Sequence, residues 1–137
     1  MRTIKFRAWG GRERKYFVYF DINDVVEDYF TDETLQPDGS RYTLDKKEVE
    51  SIQQFTGLLD KNGKEIFEGD ILMLHGHDPA DTKYHPKRVM EWGYAGFNLK
   101  KMGVPEINAL LKPKPALMKD FEVIGNIYEN PELLNTK

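Results

Sequence analysis

The sequence predicts a β-rich α+β protein, a small barrel or sandwich of short strands, and three observations carry that prediction. Glycine-marked turns recur about every ten residues, the runs between them are β-branched and aromatic, and helix-period patterning is scarce. The clearest case is Gln54 to Leu74, QFTGLLDKNGKEIFEGDILML. Asn62-Gly63 lies there between apolar runs, and both residues tolerate the positive φ angles that a tight hairpin turn needs. Gly69-Asp70 marks a second bend or bulge, which leaves Ile71 to Leu74 as a buried strand.

The first strand covers residues 2–9, where Ile4, Phe6 and Ala8 alternate with Lys5, Arg7 and Trp9. Gly10-Gly11 opens a turn into Lys15 to Phe20, KYFVYF, and the two segments form a hairpin. Between Asp21 and Glu50 the signals weaken. Asp21 or Asn23 caps a helical turn through Val25, Val26 and Tyr29, QPDGS from Gln36 to Ser40 turns the chain, and a brief strand at Arg41 to Leu44 precedes a firmer one at Ile52 to Thr56 that leads into Gly57. His75 to Pro86 is a polar surface excursion. Lys87 to Trp92 and Phe97 to Met102 flank Gly93 to Gly96 as another hairpin. Pro105 starts a short helix with an apolar stripe of Ile107, Leu110 and Leu111, stopped by KPKP at Lys112 to Pro115. FEVIGNIY from Phe121 to Tyr128 is a last strand, bulged at Gly125. Alternation assigns Ile4, Phe6, Phe55, Leu58, Ile66, Ile71, Leu72, Val89, Phe97, Val123 and Ile127 to the core.

At 137 residues the chain is long enough to bury a core, and its 39% apolar and 12% aromatic content argues against wholesale disorder. The absence of cysteine excludes disulfides, thiolate catalysis and cysteine-ligated zinc, and fits a reducing compartment, with the cytoplasm expected. No stretch reads as a signal peptide or a membrane span, so no membrane partner is expected. A net charge of −3 gives the chain as a whole no attraction for nucleic acid. The distribution is uneven, with Arg2, Lys5, Arg7, Arg12, Arg14 and Lys15 near the start and an acidic run from Asp21 to Glu50.

Three patches then point to a family. IKFRAW at Ile4 to Trp9, QFTGLLDKNGKEIFEGDIL at Gln54 to Leu72, and FEVIGNIYENPELL at Phe121 to Leu134 give the chain its resemblance to the YopX family of phage- and prophage-encoded proteins. The resemblance implies a second half shaped as an SH3-like barrel, a tendency to self-associate, and no biochemical activity to carry over. The expected organisation is an N-terminal β-hairpin region over residues 1–56, an SH3-like barrel with short helices over 57–131, and a tail at 132–137.

No catalytic constellation emerges, so an enzyme is not expected. Glu65, Glu68 and Asp70 read as turn and wet-face residues rather than an acid–base pair. GLLDKNGKE lacks the spacing of a phosphate-binding loop, and Ser40 and Ser51 sit in no nucleophile elbow. His75, His77, Asp78, Asp81 and His85 crowd one loop with metal-ligand chemistry, but ordering a flexible loop is costly, and neither metal nor cofactor is expected. What remains is surface. Lys5, Arg7 and Trp9 on one strand face, with Lys15 nearby and Arg88 and Trp92 elsewhere, interleave cations with rings. The favoured reading is a non-catalytic interaction or assembly module, self-associating or bound to a host or phage protein, because YFVYF holds more large apolar groups than one strand face hides. The alternative is nucleic-acid binding through the basic and aromatic face.

Overall fold

The computed structural model describes residues 4–21, 25–26, 29–31, 37–38, 43–75, 87–92, 96–101 and 110–134. The chain divides into two compact units, Met1–Phe55 and Thr56–Lys137.

In the first unit, β1 (Phe6–Gly10) pairs antiparallel with β2 (Tyr16–Phe20), the hairpin expected from the double glycine. Two short strands follow, β3 (Val25–Val26) and β4 (Tyr29–Thr31), then β5 (Thr43–Asp45), and these make a three-stranded antiparallel sheet. The helical turn expected through Val25, Val26 and Tyr29 is therefore extended chain. Pairing of Phe30 with Leu44 decides it, a partner fourteen positions away that no local pattern records. The long strand β6 (Val49–Leu59) then pairs with the other side of β1. Period two sorts the side chains: Ala8, Val18, Phe20 and Leu44 form a buried cluster flanked by Phe6, Tyr16, Phe30 and Val49, while Arg7, Trp9, Phe17, Tyr19 and Gln53 take the other face.

β6 runs on into the second unit, where it turns into β7 (Glu65–Phe67). The turn is a variant of the expected one. Gly63 N–H donates to the Asp60 carbonyl and Asp60 N–H to the Lys64 carbonyl, with Gly63 at φ 80°, the geometry of a three-residue loop ending in a glycine bulge rather than a two-residue Asn-Gly turn. A second glycine turn, Gly69 at φ 89°, leads to β8 (Asp70–Leu74), the expected buried strand. β9 (Lys87–Trp92), β10 (Phe97–Lys101) and β11 (Leu110–Leu111) follow, then a four-residue helix α1 (Pro115–Met118) and β12 (Phe121–Asn126). They form an antiparallel sheet of order β11-β10-β9-β8-β12, curled as a half-barrel, so the chain is mainly β as predicted. Ile66, Leu72, Met90, Leu99, Met118 and Phe121 fill its core.

Several local expectations shift. The helix expected from Pro105 falls on residues outside the described set, but its last two apolar positions, Leu110 and Leu111, are strand β11, and the helix starts instead at Pro115, the residue read as a stop. Proline at the first helical position needs no N–H, so the same residue that ends one element begins the next. The expected bulge is present as a register shift between Val123 and Gly125. Of the anticipated core, Phe55, Ile66, Ile71 and Leu72 are buried, whereas Ile4 is 56% exposed. Pro131–Leu134, read largely as tail, is a 3-10 turn whose Leu133 lies against Gly125: a Cβ there would meet Leu133 Cδ1 at 2.8 Å.

Candidate functional site

The N-terminal basic and aromatic face is assembled, but it is largely engaged. Arg7 is 3% exposed; its Nε donates to Gln53 Oε1 at 3.1 Å, and its guanidinium lies 4.3 Å from the centre of the Phe17 ring. Gln53 is 1% exposed and donates in turn to Ser51 Oγ, so the group is a satisfied polar network carrying a stacked cation. Trp9 is half-buried against Phe17, ring centres 4.7 Å apart, and Phe17 meets Tyr19. Lys5 stands over the Phe55 ring, and Lys15 Nζ pairs with Glu50 at 2.9 Å and donates to the Gly11 carbonyl. The surface expected to present two cations and an indole thus presents the edges of a packed cluster. Alternation places these residues on one face correctly; the burial of Arg7 depends on Gln53, 46 positions on.

The other candidates, Arg88 and Trp92, share a face of β9 with Met90 between them. They part in exposure. Arg88 is 8% exposed and donates to the Lys87 carbonyl, whereas Trp92 is 62% exposed at the strand's end, beyond the core. Its indole meets Phe97 edge to face, 4.8 Å between centres and 78° between planes, directly across the β9–β10 pairing. Leu99 on β10 pairs with Met90 on β9 and with Leu111 on β11, so Leu111, 41% exposed, ends the neighbouring row on the same face of the sheet. Lys112 follows at once, its Nζ 3.7 Å from where a Gly96 Cβ would stand. Among the described residues of the second unit, Trp92 is the most exposed large apolar side chain, and Phe97 and exposed Leu111 lie on the same face of the sheet. Leu111 and Lys112 do not stand out in the sequence, because LLKPKP looks like the end of a helix.

A polar cluster at the other side of the sheet is structural in character. Asp60, 7% exposed, accepts from the N–H groups of Asn62 at 2.8 Å, Lys64 at 2.9 Å and Val123 at 2.9 Å. Burial raises its pKa, but the three backbone bonds and the Lys64 charge outweigh it and hold the carboxyl below the usual range. Close by, Glu122 joins His75 Nε2 at 2.9 Å to Asn62 Nδ2 at 3.2 Å. His75 is the one described member of the histidine-rich loop; His77, Asp78, Asp81 and His85 lie outside the described residues. Among the described residues there is no group of three or more His, Asp or Glu poised to hold a metal, and no helix long and apolar enough to cross a membrane.

No curated protein sequence matches the chain significantly. Among solved structures it is similar to protein EF1440 from Enterococcus faecalis, with a TM-score of 0.57 and 26% identity over 98% of this chain and 100% of that one. The family model described as YopX protein matches residues 5–135, nearly end to end, so the three patches, the N-terminal hairpin and the curled sheet belong to one family pattern: the chain is a member of the YopX family.

Proposed function

We propose that this YopX-family chain, from a phage or prophage, is a non-catalytic binding module, and that its binding surface is the Trp92 corner of the second unit. One observation carries the reading. A tryptophan 62% exposed, braced edge-on by Phe97 with Leu111 on the same face of the sheet, is a large amphipathic group held outside the core at fixed geometry. Such rings dominate binding energy where they occur at interfaces, and a fold gains nothing by leaving one in water.

The described ionisable groups support a non-catalytic role. Asp60 is engaged by three backbone N–H groups, and Glu122 by His75 and Asn62, the bonding of groups that hold structure together. A photo-crosslinking amino acid in place of Leu111, expressed in the bacterial cell, tests the proposal. Adducts lost on Trp92→Ala and absent when the crosslinker replaces exposed Lys64 support it. Equal labelling from both positions overturns it.

A further inference from the structure

We infer that Asn62 is a self-modifying site, and that its conversion to aspartate or isoaspartate loosens the β6–β7 loop from β12. The reaction needs a backbone nitrogen that can reach the asparagine side chain. The Gly63 nitrogen, after losing its proton to hydroxide, forms a bond to Asn62 Cγ. The bond from Cγ to Nδ2 breaks, and the nitrogen leaves as ammonia with a proton taken from water. Water then opens the five-membered succinimide at either carbonyl, leaving a carboxylate on an ordinary aspartyl or on an isoaspartyl backbone. Water is the one co-reactant, and no oxidation state changes.

Asn62 is the only asparagine in the chain followed by glycine. Glycine has no side chain to hinder ring closure, and a Cβ on Gly63 would meet nothing within 4 Å, so that side of the nitrogen is open. Both residues are exposed, which admits the hydroxide and the water. Asn98 and Asn126 are buried, and Asn130 precedes a proline, whose nitrogen has no proton to lose. One bond restrains the reaction at Asn62. Gly63 N–H donates to the Asp60 carbonyl at 3.0 Å, and this bond must open before the nitrogen can turn onto Cγ.

The consequence follows from what Asn62 holds. Its Nδ2 donates to Glu122 Oε2 at 3.2 Å, so loss of that nitrogen replaces a donor with a carboxylate facing a carboxylate. An isoaspartyl link also lengthens the backbone by one carbon between residues 62 and 63, inside the loop whose Asn62 and Lys64 N–H groups converge on the Asp60 carboxylate. The same carboxylate holds Val123, so a change at the apex of the loop is passed to β12.

Peptide mapping by mass spectrometry of the full chain, aged in mildly alkaline buffer with and without urea, tests this. Aspartyl and isoaspartyl peptides should accumulate at residue 62 ahead of every other asparagine. Conversion in the folded chain should be roughly 2- to 13-fold slower than in urea, the range for one backbone hydrogen bond. Asn62→Gln, whose longer side chain must close a larger ring, should stay unmodified. Asn62→Asp mimics the product: hydrogen exchange at the Lys64 and Val123 amides should quicken while β9 and β10 stay protected. Adding Glu122→Gln, which removes the opposing charge, should restore much of that protection. An intact Asn62 in the aged folded chain, or conversion no faster than at the other asparagines, overturns the inference. So does exchange in Asn62→Asp that matches the wild type, or loss of protection across the whole sheet.

Discussion

The carboxylate of Asp60 accepts a hydrogen bond from the backbone N–H of Val123 at 2.9 Å, joining the β6–β7 loop to β12 across 63 positions of chain. The same side chain accepts from Asn62 and Lys64, so one residue shapes the loop and ties it to the strand beside it. Lys61 N–H adds a bond to the Phe121 carbonyl, and together these cover the edge of β12. A polar residue that looks like ordinary turn chemistry in the sequence is thus the clasp of the second unit.

Asp60→Asn should destabilise the protein by about 3 kcal/mol at neutral pH, since a neutral amide loses the charge-assisted bonds and turns a donor toward N–H groups. The pH dependence follows from the lowered pKa of Asp60. A carboxyl with a folded pKa below its unfolded value contributes stability that is complete above the unfolded value, about 3.9, and is lost as pH falls through the folded one. Denaturant titrations should show the gap between wild type and Asp60→Asn at full size near pH 7 and narrowing below about pH 4. A gap independent of pH would count against the charged clasp.

The turn itself separates backbone strain from packing. Gly63 has φ 80°, and a Cβ placed on it would have nothing within 4 Å, so a side chain there meets open space and only the left-handed backbone resists it. Gly63→Val should cost on the order of 1 to 2 kcal/mol, and Gly63→Asn distinctly less, because asparagine tolerates that conformation. Thermal melts of the two variants decide it; equal losses would mean that something other than φ is being measured.

How far the sequence reveals this protein depends on the distance over which each feature is determined. The glycine turns at Gly63 and Gly69 and the bulge near Gly125 are legible because the residue and its backbone requirement coincide. The strand at Val25–Val26 is not, since Val-Val in an acidic stretch suits a helical turn as well until β5 arrives to pair with β4. Arg7 shows the middle case: alternation gives its face, but its burial comes from Phe17 and Gln53 on neighbouring strands. Trp92 stands out in the sequence as a ring beside a cation, yet Arg88 is buried while Trp92 is exposed, a division that the sequence pattern does not record.

Arg7 accordingly belongs to stability assays. Truncating it to alanine removes the stacked guanidinium and leaves Gln53 Oε1 without its donor, a loss of about 2 to 4 kcal/mol. Arg7→Lys should recover only part of this, because lysine has neither the planar face for Phe17 nor the same fork for Gln53. Paired with Gln53→Ala, the losses should be less than additive, a coupling that urea denaturation of the four proteins would measure. Additive losses would separate the two side chains.

Gly125 behaves unlike Gly63. A Cβ at this position would lie 2.6 Å from Asn130 Oδ1 and 2.8 Å from Leu133 Cδ1, and Asn130 Oδ1 also accepts from Asn126 N–H at 3.2 Å. Gly125→Ala must therefore shift the Asn130 amide and the Leu133 side chain, at a cost of about 1 to 3 kcal/mol by overpacking. Leu133→Ala makes room, so the double variant should lose less than the sum of the two singles. Hydrogen exchange should show the loosening confined to residues 126–134, while the amides of β8 to β10 stay protected; global loss of protection would mean that Gly125 supports the whole sheet and not its C-terminal cover.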